Sequence, residues 1–137
     1  MKIENDAGLT ILVVDDIEET RDGIEKLLQV DGYLVEAVRH ERDAVDCAGR
    51  KHPDLILVSL GGPQLDVIAT ARQIRTRAEL EENIPVVVFC GGDVEEGDEV
   101  DIGQNVYLTR PDNFNQLRNL LARLIKQNSI PVKVSLP

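Results

Sequence analysis

Five short runs of apolar residues alternate along the chain with longer segments whose apolar positions recur at helical spacing. The runs cover residues 10–15, 34–38, 55–59, 86–90 and 106–108, and they are rich in Val, Ile and Leu. Three of them are almost continuously apolar, which is typical of strands covered on both faces of a parallel sheet. The pattern therefore predicts five parallel strands.

The segments between these runs predict helices. We expect Asp16 or a near neighbour to cap the first helix, with Glu19 completing a capping box. Leu27 belongs to the inner stripe of this helix, and Gly32 ends it. The same spacing rules predict three further helices, over residues 41–51, 66–77 and 113–127.

Strands that alternate with helices through short loops favour a doubly wound, three-layer α/β/α sandwich. We expect a flavodoxin-like α/β fold with a five-stranded parallel sheet in the order 2-1-3-4-5. Residues 91–103 fit this fold badly, because four glycines and six acidic residues oppose a stable helix. The fourth helix should therefore be short, distorted or missing.

Length and composition predict one domain, over residues 10–128, with an extension over 1–9 and a tail over 129–137. The tail alternates apolar and polar residues, so it is either a docked strand or the start of a linker. The net charge of −10 argues against nucleic acid or an anionic membrane surface as a direct partner. Two distant cysteines, with no signal peptide or membrane-length apolar run, favour a reducing, cytoplasmic location.

Ligands of doubly wound sheets bind at the carboxyl ends of the central strands, where the strand order switches. The chain places polar residues directly at these ends, and the fold should bring them together at one edge of the sheet, here called the mouth. They are Asp15, Asp16, Ser59, Cys90 and Arg110.

Four segments carry a resemblance to a known family. The motifs Val-Val-Asp-Asp at residues 13–16, Pro-Asp-Leu-Ile-Leu at 53–57 and Tyr-Leu-Thr-Arg-Pro at 107–111, with the strand 86–90 between the last two, resemble the receiver domain of bacterial two-component response regulators. The likeness covers residues 10–127. It implies a signalling module rather than an enzyme, with a histidine kinase, an effector, a regulator or a second copy as protein partner.

The resemblance also assigns roles to the mouth. Asp15 and Asp16 match the acidic pair that helps to hold Mg²⁺, and Gly61 matches the residue whose carbonyl binds that ion. Ser59 matches the phospho-acceptor, which is an aspartate in the family. In the following loop Pro63 and Asp66 match the family, whereas Val67 replaces a glycine. The switch positions, where the family has a Ser or Thr, an aromatic residue and a lysine, are Cys90, Tyr107 and Arg110.

The substitution at Ser59 weighs against phosphoryl transfer. A carboxylate is ionised at neutral pH, whereas a serine hydroxyl needs a base to become a nucleophile. Losing one anionic ligand should also leave Mg²⁺ binding weak or absent, so we expect no cofactor. We further expect Arg110 to form a bidentate pair with Asp15 or Asp16 in place of the metal.

Three functions compete on this sequence. The favoured one is a pseudo-receiver that is not phosphorylated at Ser59 and acts by protein contact through strand 5 and the last helix. The second is a receiver that uses another acceptor, such as Asp66. Asp54 is less suitable, because it lies about 16 Å back along the strand and cannot share the metal site. The third, a flavodoxin-like binder of a small ligand, is disfavoured by the acidic first loop, which lacks the glycines of a phosphate cradle.

Overall fold

The computed structural model describes residues 8–90 and 94–129. Its strands are β1 (Thr10–Asp15), β2 (Leu34–Val38), β3 (Leu55–Ser59), β4 (Val86–Phe89), β5 (Glu99–Asp101) and β6 (Val106–Thr109). Its helices are α1 (Glu18–Val30), α2 (Glu41–Lys51), α3 (Gln64–Arg77) and α4 (Phe114–Ser129). The predicted extension and tail lie almost entirely outside the described residues.

One sheet of six strands, in the order β2-β1-β3-β4-β6-β5, runs through the centre of the domain. The first five strands in this order are parallel, which confirms the predicted flavodoxin-like topology. The three central strands β1, β3 and β4 are buried on both faces almost throughout, as their continuous apolar sequences predict.

Alternate residues of each strand point to opposite faces, so the sheet supports two apolar layers. On one face α2 and α3 pack on Leu12, Ile56 and Val86 and their neighbours. On the other face α1 and α4 pack on Ile11, Leu55 and Val87. This three-layer arrangement fixes the strands in register and thereby fixes where their carboxyl ends lie.

The start of α1 differs from the prediction. Ile17 is the N-cap residue, and no side chain donates or accepts a capping hydrogen bond there. The expected box of Asp16 and Glu19 was wrong, because Asp16 turns instead towards the loop after β3, where its Oδ2 accepts the Gly61 N–H. Leu27 was also misplaced, since 43% of its surface is exposed.

The fourth connection contains a strand that the sequence pattern did not predict. Over the described part of this connection, residues 94–105, no helix forms, in line with the expected weakness. Instead β5 runs antiparallel to β6 and extends the sheet by one strand. The tight turn between the two strands contains Gly103, Gln104 and Asn105, all with positive φ.

Two arginines of α3 anchor this hairpin. The buried Arg75 guanidinium donates to the carbonyls of Ile84 at 2.9 Å and Gln104 at 2.5 Å, and more weakly to Glu82 at 3.4 Å. Arg72 donates to the Ile102 carbonyl at 3.2 Å. These charge-assisted bonds fix β5 against the body of the domain. Among the described helices none has the length and apolarity needed to cross a membrane.

Candidate functional site

The register of β1 and β3 makes Asp15 and Ser59 direct neighbours at the carboxyl edge of the sheet. Asp15 is only 1% exposed, whereas Ser59 is half-buried and Asp16 is exposed. The predicted meeting of the β1 acids with Ser59 is therefore present, and it follows from strand pairing alone.

Asp15 is held by its own local backbone and by α1. Its Oδ1 accepts the Ile17 N–H at 2.8 Å, and its carbonyl accepts a bond from Arg21 at 3.0 Å. Its Oδ2 is buried and has no hydrogen-bond partner. Burial raises the pKa of Asp15, as does the charge of Asp16 to a smaller degree, while the Ile17 N–H, Ser59 and Arg21 act in the opposite direction.

Asp16 links the two loops of the mouth. Its Oδ2 accepts the Gly61 N–H at 3.3 Å, which ties the end of β1 to the loop after β3. A Cβ on Gly61 would lie 3.5 Å from the same oxygen, which is ordinary van der Waals contact. Space therefore does not require glycine at this position.

Arg110 lies outside the acidic mouth. Its guanidinium donates to the Val94 carbonyl at 3.4 Å, and it forms no ion pair with either β1 acid in the part of the chain that the structure describes. The expected bidentate pair was wrong. The reason is the hairpin, because the segment before β5 bonds the Arg110 backbone through the Gly97 N–H and the Asp98 carbonyl. The side chain consequently follows that segment.

The two other predicted switch residues sit in ordinary strand environments. Cys90 is half-buried, its N–H donates to the Thr109 carbonyl at 2.9 Å, and burial raises the pKa of its thiol. The Tyr107 hydroxyl donates to Asn105 Oδ1 at 2.8 Å, and burial together with the nearby Asp101 raises its pKa. A high thiol pKa disfavours the reactive thiolate, so redox chemistry at Cys90 is disfavoured.

Three features near the strand ends could not be read from the sequence. Arg21 holds the end of β1 from one turn inside α1, but an arginine on an exposed helix face is ordinary in sequence. Val94 is buried within an acidic, glycine-rich stretch, where a loop was expected. Asp66, an alternative acceptor, lies exposed in the first turn of α3 rather than on a loop.

A doubly wound sheet whose carboxyl edge carries two adjacent acids has the architecture of a receiver-type signalling domain. The model of the response regulator receiver domain family matches residues 11–122, so the chain belongs to that family and to two-component signalling.

Curated relatives agree with this assignment. The response regulator MprA of Mycolicibacterium vanbaalenii is 32% identical over 121 residues, which are 87% of this chain and 51% of that protein. The MprA of Mycobacterium bovis is 31% identical over 119 residues, which are 85% of this chain and 49% of that protein. The chain thus spans about half the length of these relatives.

Solved structures support the fold. The receiver domain of a signal transduction histidine kinase from Syntrophus aciditrophicus has a TM-score of 0.68 at 24% identity, covering 93% of this chain and 97% of that one. The response regulator TrrA of Thermotoga maritima, in complex with Mg²⁺-BeF, has a TM-score of 0.65 at 20% identity, covering 85% of this chain and 98% of that one.

The mouth of this chain fits a magnesium ion poorly. Mg²⁺ requires near-octahedral oxygen ligands, and the described residues contain no cluster of three acidic, histidine or cysteine side chains. The free oxygen of Asp15 is covered, and Asp16 Oδ2 already accepts the Gly61 N–H. Direct coordination by both acids would require these side chains to rearrange.

Proposed function

We propose that this receiver domain takes up no phosphoryl group at Ser59 and signals through protein contact alone. The observation that carries the proposal is the end of β3, where a hydroxyl replaces the acceptor carboxylate directly beside the buried Asp15. A kinase, an effector, a regulator or a second copy would read the domain by binding, and its abundance would set the signal.

Three features of the mouth disfavour phosphoryl transfer. Ser59 needs a base to become a nucleophile, and its neighbour Asp15 is a buried acid whose Oδ1 already accepts the Ile17 N–H. Transfer also depends on a metal ion and on a positioned cation that neutralise developing charge. The acids fit Mg²⁺ poorly, and Arg110 points towards Val94.

The alternative acceptors are badly placed. Asp66 lies in the first turn of α3 and is exposed. Asp54 precedes β3, and its Oδ2 accepts the Thr10 N–H at 2.7 Å, so it serves to join the starts of two strands. Among the described residues, neither belongs to a cluster of three acidic, histidine or cysteine side chains that could hold Mg²⁺.

The proposal can be tested with beryllofluoride, a phosphoryl mimic, added together with Mg²⁺. The readouts are the fluorescence of Tyr33 and Tyr107 and the amide resonance of Gly61. We expect no saturable change in the wild-type protein or in Ser59→Ala, which removes the hydroxyl. Ser59→Asp should respond partially, because Arg110 and Cys90 still differ from the family pattern.

A saturable, magnesium-dependent response of the wild-type protein would contradict the proposal. A response of Ser59→Asp that matches an ordinary receiver would show that Arg110 and Cys90 contribute less than their chemistry suggests. The alanine variant is the matched control, since it keeps the β1–β3 register and changes only the side chain at the end of β3.

A further inference from the structure

The added strand β5 leaves the sheet with an edge whose backbone groups point outwards. The Asp98 carbonyl and the Ile102 N–H both bond towards the β6 side. Because alternate residues of an antiparallel strand bond to the same neighbour, Glu99 and Asp101 must direct their N–H and C=O groups away from β6. Among residues 8–90 and 94–129, β5 pairs with β6 alone. This edge can therefore accept one more strand.

The two faces of β5 differ in chemistry. Glu99 and Asp101 face α4 and line a groove of about 270 Å³ whose floor includes Tyr107, Leu120 and Leu124. Arg123 of α4 also lines this groove, and its guanidinium pairs with Glu99 at 2.6 Å. Val100 faces the other way and is 40% exposed. An incoming strand thus meets the Asp101 carboxylate and the Glu99–Arg123 ion pair above an apolar floor on one side, and an apolar side chain on the other.

A second copy of this chain is disfavoured as the incoming strand. In an antiparallel pairing about a twofold axis at Val100, Glu99 of one copy would stand opposite Asp101 of the other. Like charges directly opposite each other across a strand pair are destabilising. The net charge of −10 adds to this repulsion.

We infer that the β5 edge binds an extended segment of a partner protein in which basic residues alternate with apolar ones. Its basic side chains lie beside Asp101 and Glu99, where they compete with Arg123 for the Glu99 carboxylate, and their stems cover the floor of the groove. Its apolar side chain packs on Val100, while main-chain hydrogen bonds to Glu99 and Asp101 supply the pairing. This inference deepens the proposed function, because it names the kind of partner that the protein contact serves.

The test uses a blocked peptide of sequence Lys-Val-Lys-Val-Lys and amide hydrogen exchange of the full chain. We expect the amides of Glu99 and Asp101 to become protected at least about tenfold at saturating peptide, because each would gain a hydrogen bond. Peptides of sequence Glu-Val-Glu-Val-Glu and Lys-Pro-Lys-Pro-Lys are controls for charge and for strand pairing. Neither should protect these amides.

Two variants separate the backbone from the charge. Asp101→Pro removes an outward N–H without touching the β5–β6 ladder, since proline is tolerated on a free edge. Asp101→Ala removes the same carboxylate but keeps the N–H. We expect the proline variant to bind the lysine peptide about fivefold more weakly than the alanine variant, the effect of about one hydrogen bond.

Equal affinity of the two variants, or equal protection by the glutamate peptide, would overturn the inference. Protection of Glu99 and Asp101 without any peptide would also overturn it, in favour of a second copy if it depends on protein concentration. If this protection without peptide is instead lost when the chain is truncated after Ser129, the result would indicate that residues 130–137 occupy the edge. These results leave phosphoryl uptake untouched, so the two proposals fail separately.

Discussion

The anchoring of the β5–β6 hairpin by Arg75 gives a sharp prediction about stability. The Arg75→Met variant keeps most of the aliphatic stem but removes the guanidinium of a residue that is only 6% exposed. Two of its bonds are short, to Ile84 at 2.9 Å and to Gln104 at 2.5 Å. The carbonyls stay where the loops place them, so the variant leaves these acceptors without their charged donor.

The expected cost follows from these bonds. Hydrogen bonds to charged groups contribute roughly 1.5–3 kcal/mol each, and relief of the desolvated charge offsets part of this loss. We expect the free energy of unfolding to fall by about 3 kcal/mol, which corresponds to a loss of about 10 °C in Tm for a domain of this size. Urea unfolding followed by far-UV circular dichroism measures the free energy directly.

The matched control is Arg77→Met on the same helix. Arg77 pairs with Glu41 at 3.1 Å, but its side chain is 60% exposed. An exposed ion pair contributes less than about 1 kcal/mol, so this variant should remain close to the wild type. If Arg75→Met and Arg77→Met lose the same stability, the anchoring role of Arg75 is refuted.

Three further predictions concern the mouth and the turns. Asp15→Asn should stabilise the protein at neutral pH by about 1 kcal/mol, because the buried oxygen without a partner no longer carries charge. The raised pKa means that the native state holds this proton more tightly, so the contribution of Asp15 to stability falls as pH rises from 3.8 through the raised pKa. The advantage of the variant should therefore vanish below that window in urea titrations, and the control Asp16→Asn, at an exposed carboxylate, should not stabilise the protein at neutral pH. Ser59→Asp should cost about 1–2 kcal/mol without metal, since it adds a charge beside Asp15, and Mg²⁺ should recover part of it in thermal scans. Gly97→Ala should cost about 1–2 kcal/mol, because φ is +92°; in the same scans, Gly23→Ala inside α1 should gain about 0.5–1 kcal/mol. A loss at Gly23 equal to that at Gly97 would show that backbone conformation is not the cause.

The parallel strands and their order followed from the sequence because their signal is local. Continuous runs of Val, Ile and Leu have few alternatives to a doubly covered strand, and β1, β2 and β3 have the predicted bounds. Once the order is known, register alone places Asp15 beside Ser59. The central pair of the site was therefore within reach of sequence reasoning.

Strand β5 and the position of Arg110 could not be predicted from the sequence, for a physical reason. Residues Glu99–Asp101 carry two charges and little β-propensity, so nothing local predicts a strand. The hairpin is stabilised by distant groups, chiefly the arginines of α3 that bond its turn. Its pairing with the Arg110 backbone then carries that side chain away from the acids.

The most direct test of the account is the intact mass of the wild-type protein after incubation with acetyl phosphate and Mg²⁺ at neutral pH, measured without acid quenching. We expect the mass to remain unchanged, while Ser59→Asp under the same conditions gains part of one phosphoryl group. A phosphoryl adduct on the wild-type chain, on Ser59 or on any other residue, would contradict the claim that this domain works by docking without taking up phosphorus.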